Sequence, residues 1–579
     1  MNMRKIRIAA GLAATVGGLG NADIAASQTV PWPAEVAGWR AVAPGEHPRL
    51  LFRKADVSEL RARAQTAEGQ ALLQRLRVLL DGAEGTKLPP RLGIKGPPPA
   101  DNPGPLAEAP AGEVLTYAHP AGYGFLYQMT GDRRFADLGR QAMDLLLEGY
   151  RDRDQRYSFR QPGGALRAGP SLGWVALGYD LCYDGWDDGY RRKVAAEIAN
   201  YNEGKWCSLA ELARGARQFP GSNHWGMQVG GAALALLAVR DDPGVDMAKI
   251  APLLEQNAKA MIRNVTEGFG DGGFFAEGDG TGSMASHIAY LPALQAWRVA
   301  GGKDFVTPRP NAQWTYLKWF FLTVPSGDPT NLRADFPARG GYPHNIWARE
   351  SVSGAGYFSI AFGVATEPQK AAILWCYNRW LREHDLKAGT PFDATTPYPH
   401  HAILSYVNWP IGLAERDPDD VLPHAYRDTK WKFYAWRNRW QDRNDTVISI
   451  LTHRAKGNMG APAENTLTIR SQGRSIKWGR IGGGFLEPWA PQPDGSTVLK
   501  TGDGSVLAID FSRASGADAL LVMTGPGAPA EGVIEAGGTK FSLLLLGPDP
   551  LPKPRAEGNR LVIGGQTVSY DGQSIVLGK

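Results

Sequence analysis

The spacing of hydrophobic residues changes once along the chain, and this change constrains the fold more than any other feature. From about Tyr117 to Leu386, apolar residues recur at the period of amphipathic helices. The clearest helical segments are 132–150, 187–201, 246–265, 283–300 and 367–386. Because segments of similar length follow one another through loops rich in Gly, Asp and Pro, they predict paired helices stacked in a ring or a solenoid.

Beyond Trp431 the apolar residues fall into short β-type runs. Gly, Pro and Asp turns separate these runs at the spacing of an antiparallel sandwich. The runs are 446–451, 466–469, 505–509, 519–523, 541–546 and 560–563. The sequence therefore predicts a multidomain α+β protein, with a helical domain at residues 27–425 and a β-sandwich domain at residues 426–579.

The first 26 residues have the layout of a secretory signal peptide. Residues 1–7 are basic, residues 8–20 are apolar and small, and Ala25-Ala26 offers a cleavage point. No later run approaches the roughly 18 uninterrupted apolar residues of a membrane span. We therefore expect an exported protein, periplasmic or secreted, without a membrane span.

The overall composition is typical of a soluble globular protein, with 43% hydrophobic and 21% charged residues. The net charge of +5 is small for 579 residues and there is no long basic run, which argues against nucleic acid as a partner. The 18 Trp and 19 Tyr, alongside 71 Gly, favour a carbohydrate-active protein, since aromatic rings stack on sugar faces. Three cysteines at 182, 207 and 376 are too widely spaced for a disulfide framework or a zinc site.

The stretch 221–228 carries the first candidate catalytic residues, directly ahead of the uncharged segment 229–237. That segment predicts a buried helix. The amide of Asn223 can donate to a carboxylate and the neutral imidazole of His224 can take a proton, which suits chemistry on an acidic sugar. Trp225 is a candidate substrate contact. The structural alternative is that Asn223 caps the helix and His224 is a satisfied core histidine.

A second group of candidates lies in the glycine-containing segment 336–350. Tyr342 could act as the acid and His344 as a second base, and Arg339 or Arg349 could bind the carboxylate. The alternative is an ordinary loop with buried hydrogen bonds.

Further candidates are single residues. Arg160 and Arg167, at the start of a predicted helix, could bind the carboxylate of a second uronate through bidentate hydrogen bonds. The alternative is that they are solvated or structural, as single arginines more often are. His119, His400 and His401 are interpreted as ordinary structural histidines.

These features, in this order, resemble the heparinase II/III-like polysaccharide lyases. The likeness covers nearly the whole mature chain in element order, and it rests on the HPRLLF motif at 47–52, the Asn223-His224 pair and the GDGGFFAEG motif at 270–278. The resemblance implies an (α/α) toroid followed by a β-sandwich. It also implies that the Asn223 amide contacts the substrate carboxylate and that His224 lies near the abstracted proton.

The chain departs from the family pattern at two places. After Glu277-Gly278 the family usually shows tyrosines, one of which acts as acid or base, whereas here His287 or Tyr290 would have to take that role. Many members also carry closely spaced histidines near a metal in the β domain, whereas His453 stands alone. The sequence therefore predicts no metal site.

These residues favour a polysaccharide lyase that acts on a uronate-containing polysaccharide. β-Elimination needs donors to the carboxylate, a base for the C5 proton and an acid for the leaving oxygen, but no metal or organic cofactor. One rival is a glycoside hydrolase that uses Asp271 with Glu277, or Asp184 with Asp187. Another is a non-catalytic glycan-binding protein. The identity of the uronate, the linkage, endo or exo action and the oligomeric state, a homodimer included, are left open.

Overall fold

The computed structural model describes residues 32–97, 102–215, 218–278, 281–325, 333–334, 357–452 and 465–578. The predicted signal peptide lies outside these residues. In the described part of the chain the α-helices are α1 (Val57–Arg63), α2 (Ala67–Asp81), α3 (His119–Thr130), α4 (Arg133–Leu147), α5 (Ala165–Cys182), α6 (Asp188–Ala199), α7 (Leu209–Ala213), α8 (Asn223–Val239), α9 (Met247–Arg263), α10 (Thr281–Ala300), α11 (Pro310–Leu322), α12 (Tyr357–Val364), α13 (Glu367–Trp380), α14 (Arg382–Lys387) and α15 (Pro399–Asn408).

Aspartates set the starts of three of the helices that the sequence predicts. Asp132, Asp187 and Asp246 each accept a backbone N–H from the first turn of α4, α6 and α9, which satisfies a donor that has no partner within the helix. The segment predicted at 367–386 forms two helices instead of one, because the chain breaks at Leu381 between α13 and α14.

Six helices form a closed inner ring. In chain order α3, α5, α8, α10, α12 and α15 each pack on the next, and α15 returns to pack on α3. Other helices lie against the outside of this ring, such as α2 on α15, α4 on α3 and α5, α9 on α8, and α13 on α12. The predicted architecture of paired helices in an (α/α) toroid is confirmed.

Five of the inner helices, α3, α5, α8, α12 and α15, run in the same direction. Contacts four residues apart on both helices show this for α5 and α8, where Gly169 meets Met227 and Gly173 meets Gly231. A Cβ added at Gly231 would collide with the carbonyl oxygen of Gly169, so these two helices approach each other at backbone distance. The other contacts that fix direction are Gly178 with Pro120 and Gly124 with Cys182 for α3 and α5, Gly122 with Pro399 and Phe125 with Tyr406 for α3 and α15, and Ser359 with Ser405 and Gly363 with Asn408 for α12 and α15.

The HPRLLF motif forms a buried polar cluster that joins the N-terminal segment to the ring. The two ring nitrogens of His47 lie 2.7 Å from Asp180 of α5 and 3.1 Å from Asp242, just beyond α8. Arg49 also bonds Asp242, and its backbone N–H donates to Asp180. The motif therefore stabilises the toroid and does not contribute to a cleft.

The described strands pair in antiparallel sheets, and those from β5 onward build the C-terminal part of the chain. The strands are β1 (Ala34–Glu35), β2 (Lys303–Asp304), β3 (Thr323–Val324), β4 (Arg333–Ala334), β5 (Ala425–Asp428), β6 (Phe433–Arg437), β7 (Val447–Leu451), β8 (Thr466–Ser471), β9 (Arg474–Arg480), β10 (Leu486–Glu487), β11 (Thr497–Thr501), β12 (Val506–Asp510), β13 (Ala519–Thr524), β14 (Val533–Ala536), β15 (Thr539–Leu546), β16 (Arg555–Glu557), β17 (Arg560–Ile563), β18 (Gln566–Tyr570) and β19 (Ile575–Gly578). The short pairs β1–β2 and β3–β4 belong to the helical part of the chain.

Three sheets stack in the β domain. A six-stranded sheet of order β10-β11-β12-β13-β15-β14 lies between a five-stranded sheet, β5 to β9, and a four-stranded sheet, β16 to β19. Strand β12 shows why, because Leu507 and Ile509 pack with the five-stranded sheet while Val506 and Ala508 pack with the four-stranded one. The predicted sandwich is confirmed, and a third sheet is added to it.

The five-stranded sheet also covers the helical domain. On β6, Tyr434 and Trp436 point into the sandwich, whereas Phe433 and Ala435 join the hydrophobic core of the toroid. Among the described residues no helix is long and apolar enough to span a membrane.

Candidate active site

The first turn of α8 holds the Asn223-His224 pair. Ser222 precedes the helix, and its hydroxyl accepts the backbone N–H of His224 at 3.3 Å. The suggestion that Asn223 caps the helix is therefore wrong, since Ser222 has that role and Asn223 is the first helical residue. Asn223 is largely buried, while His224 is partly exposed.

Glu277 holds this helix start in place. One of its carboxylate oxygens accepts the backbone N–H of Asn223 at 2.9 Å, and the side chain also bonds Ser222. Burial raises the pKa of Glu277, and the two hydrogen bonds partly offset that effect. A carboxylate at a helix N-terminus satisfies donors that have no partner within the helix. Glu277 therefore has a structural contact with a candidate catalytic residue.

The segment Phe269–Gly278, which we call the glycine loop, connects Glu277 to the β domain. Asp428 of β5 is fully buried and accepts the backbone N–H groups of Gly272 and Phe274, both at 3.0 Å. In return, Asp271 of the loop accepts the backbone N–H of Thr429 at 2.7 Å. Burial first, and the neighbouring Asp271 second, raise the pKa of Asp428 to about 8. The two domains thus exchange carboxylate bonds at this loop.

Trp225 does not offer its ring to a substrate. It is 2% exposed, its indole N–H donates to the carbonyl of Ala260 in α9 at 3.0 Å, and Arg263 lies over its ring. It packs α8 against the outer helix, so its prediction as a substrate contact is wrong.

Tyr290 is likewise a structural residue of α10. It is fully buried and its hydroxyl donates to the carbonyl of Met261 at 2.6 Å. Burial raises its pKa far above 10. Tyr290 therefore cannot serve as the proton donor or as a substrate contact, and that candidate role is corrected. The side chain of His287 lies outside the described residues.

The two candidate arginines differ. All three guanidinium nitrogens of Arg160 are engaged, with Glu203, Glu197 and the carbonyl of Leu147 at 2.6 to 3.1 Å. No face remains for a bidentate bond to a uronate, so Arg160 is structural. Arg167 lies in the first turn of α5, two residues before Gly169, which packs on α8. That packing brings the starts of α5 and α8 side by side.

The segment 336–350 falls outside the described residues. The predictions for Arg339, Tyr342, His344 and Arg349 are therefore untested. His453 also lies outside them.

The carboxylate pairs that a hydrolase could use are committed to structural bonds. Asp271 serves the domain interface and Glu277 serves the start of α8. Asp187 caps α6, and Asp184 pairs with Lys54. These contacts weigh against the hydrolase alternative.

The sequence does not predict a buried group of aromatic side chains around His400. His400 of α15 stacks on Trp174 of α5 with ring centroids 4.1 Å apart, and Tyr117 lies 5.8 Å from His400. The Tyr117 hydroxyl, the Trp174 N–H and both His400 nitrogens are buried without a hydrogen-bond partner among the described residues. Burial lowers the pKa of His400 well below 6.5. His400 is therefore not an ordinary satisfied histidine, whereas His119 accepts a bond from Thr116 as expected. No sequence pattern marks this group, since its members come from α5, α15 and the turn before α3, which are far apart in the chain.

The described residues contain no group of three or more His, Cys, Asp or Glu side chains arranged to hold a metal ion. The three cysteines are free and buried.

Comparisons with known proteins find similarity to solved structures alone. No protein-family model matches the chain, and no curated protein matches it. The chain is similar to a crystal structure of heparinase III, at 10% identity and a TM-score of 0.36, over 95% of this chain and 81% of that one. It is also similar to the heparan sulfate lyase HepC from Pedobacter heparinus, at 13% identity and a TM-score of 0.36, over 94% of this chain and 79% of that one.

Proposed function

We propose that the protein is a polysaccharide lyase that cleaves a uronate-containing polysaccharide by β-elimination. The observation that carries the proposal is the first turn of α8. There an amide and a partly exposed imidazole stand side by side at the end of the toroid where the inner helices begin, and Glu277 holds their backbone.

In this proposal Asn223 donates to the substrate carboxylate and His224 removes the C5 proton. Negative charge accumulates on the carboxylate as the proton leaves, and a single positioned donor contributes roughly 3–4 kcal/mol to stabilising that charge. An imidazole with an ordinary pKa near ~6.5 is a suitable base at neutral pH. Arg167 would bind a neighbouring uronate, because the start of its helix lies beside the start of α8.

The remaining step gives a proton to the leaving glycosidic oxygen. We assign this step to Tyr342 or His344, because the segment 336–350 concentrates proton-transfer and carboxylate-binding side chains. The signal-like residues 1–26 support an exported location, periplasmic or secreted.

The test is to incubate the protein with heparan sulfate, heparin, alginate and polygalacturonate while following ultraviolet absorbance. A lyase leaves an unsaturated uronate that absorbs, whereas a hydrolase releases new reducing ends without that absorbance. Reducing ends alone would replace the proposal with the hydrolase, and binding without either product would favour the glycan-binding protein.

The variant His224→Ala assigns the activity to the site. We expect its rate to fall by roughly 10²–10⁴ because a positioned base is lost, and we expect its melting temperature to change little because the side chain is partly exposed. Asn223→Ala should also lose rate heavily. His384→Ala, at a partly exposed histidine of α14, is the matched control and should keep full activity. If His224→Ala folds and keeps near-normal activity, the assignment of the activity to this site is wrong.

A further inference from the structure

The glycine loop, Phe269–Gly278, is held at both ends by carboxylates. At one end it meets the β domain, and at the other it meets the start of α8. Between these ends the loop is fastened by its own backbone, with Gly270 N–H donating to Phe274 at 2.9 Å and Ala276 N–H donating to Gly268 at 3.0 Å. The loop is thus a short, cross-linked connection between the two places.

The β-domain end of the loop is fixed by reciprocal bonds. Asp428 accepts two loop N–H groups and also the N–H of Trp431 in its own turn, at 2.8 Å. Asp271 accepts both the N–H and the hydroxyl of Thr429. In addition, Phe274 stacks on Phe433 of β6 with ring centroids 4.7 Å apart. Because several hydrogen bonds and a ring contact join the loop to β5, β6 and the turn between them, this end moves with the β domain.

The other end of the loop is fixed to the start of α8. Glu277 bonds Ser222 and Asn223, and Ala276 packs against Gly221, where an added Cβ would collide with the alanine methyl group. Asn264, at the end of α9, donates to the carbonyl of Pro220 at 2.8 Å. The residues that lead into α8 are therefore set by the loop.

We propose that Glu277 and Asp428 are positioning residues through which the β domain fixes the placement of Asn223 and His224. The roles of Asn223 and His224 rest on the proposed function, but the mechanical link from β5 to α8 does not. Only two residues, Phe275 and Ala276, lie between Glu277 and Phe274, the last loop residue bound by Asp428. A displacement of 1 Å at a catalytic group can cost about 10²-fold in rate.

Amide hydrogen exchange tests the link without requiring activity. In the full-length protein, Glu277→Ala should speed exchange about tenfold in peptides that cover residues 220–228, because the helix start loses its acceptor. Asp428→Ala should speed exchange in the same peptides from the other domain. Thr429→Val removes a single hydroxyl bond, so it provides a milder variant that keeps the fold.

Two carboxylates of the same kind serve as controls. Glu211 accepts the N–H of Ser208 at the start of α7, and Asp503 accepts that of Ser505 within the β domain. Glu211→Ala and Asp503→Ala should speed exchange locally and leave residues 220–228 unchanged. If Asp428→Ala and Thr429→Val affect only the glycine loop, the role of the β domain is overturned.

Kinetics distinguish positioning from general stability. On a polysaccharide that the wild type cleaves, Glu277→Ala should lose about 10²-fold in kcat with KM within about twofold. Glu277→Gln keeps an oxygen for the Asn223 N–H and should recover most of that loss. If Glu277→Ala keeps its kcat per folded molecule, Glu277 is not a positioning residue. If the wild type cleaves nothing, the proposed function fails, while the exchange experiment still decides the link.

Discussion

Two buried tryptophans differ in a single hydrogen bond. Trp186 donates its indole N–H to the carbonyl of Ala136 at 2.9 Å, whereas the N–H of Trp174 has no partner among the described residues. Both side chains are almost completely buried. A buried donor without a partner forgoes the stabilisation that the paired one supplies.

Replacing each tryptophan by phenylalanine should therefore have unequal effects. Both substitutions remove a similar volume, but Trp186→Phe also removes a buried hydrogen bond, whereas Trp174→Phe removes a buried donor that has no partner among the described residues. We expect Trp186→Phe to lose about 1–3 kcal/mol more stability than Trp174→Phe. Urea unfolding midpoints measure the difference, and equal losses would mean that Trp174 finds a partner in solution.

At the scale of residues, the sequence predicted the buried helix at 229–237, but it predicted neither its start at Asn223 nor the partners of single side chains. Tyr290 and Arg160 looked available because their partners, Met261 for one and Glu197 and Glu203 for the other, lie 29 to 43 residues away. Composition and periodicity carry no information on such pairings. A segment such as 229–237 is different, because its uncharged run alone indicates burial.

Among the elements, the segment 47–52 is tied to α5 and to the residues after α8 by a buried ionic cluster. Tyr179 adds a hydroxyl bond to Asp242 at 2.7 Å. Burial alone would raise the pKa of Asp242, but the bond to His47 and the charges of His47 and Arg49 outweigh it and lower that pKa below 3.8.

The cluster should make stability depend on pH at acid values. Because the folded-state pKa of Asp242 is lowered, its contribution is present above the unfolded value of 3.8 and is lost as the pH falls through the folded value. Asp242→Asn should thus be less stable than wild type at pH 7. The difference between the two free energies of unfolding should become smaller below pH 3.8. Urea titrations at several pH values measure this.

Helix starts were predictable where a capping aspartate stands before an amphipathic run, as at α4, α6 and α9. The break at Leu381 was not, because the apolar spacing continues across it. The third sheet of the β domain could not be predicted from the sequence either. A buried strand such as β13 can be covered on both faces, but its sequence does not show which sheet packs on each face.

For the whole molecule, the interface between domains depends on a buried arginine. Arg437 of β6 donates to the carbonyls of Phe321 and Thr323, at the end of α11, and pairs with Asp445 at 2.9 Å. Both charged side chains are fully buried. This fork of donors joins the five-stranded sheet to the helical domain.

Arg437→Ala should cost about 3–5 kcal/mol, because it leaves the Asp445 carboxylate buried without its main partner. Arg437→Lys should recover little, since an ammonium cannot reach the same acceptors in the same plane. Differential scanning calorimetry should show the loss, and Arg474→Ala at an exposed position of β9 should not change the melting temperature by a comparable amount. A small effect of Arg437→Ala would show that other contacts, such as those of the glycine loop with Asp428 and Thr429, hold the domains together.

Polysaccharide cleavage should survive exhaustive chelation. β-Elimination requires no metal ion, and the described residues offer no cluster of ligands for one. Activity before and after dialysis against a chelator measures this. Loss of activity that one divalent metal restores would reveal a site assembled from other parts of the chain.

The common direction of the inner helices has an electrostatic consequence. Each helix carries a dipole equivalent to roughly half a positive charge at its N-terminus, and parallel neighbours add where antiparallel ones would cancel. At the end of the ring that holds Asn223 the dipoles therefore add a positive contribution, which the Glu277 carboxylate at the start of α8 partly offsets. Under the proposed function, this contribution would favour the approach of an anionic polysaccharide to that end, and salt would weaken it by shortening its range.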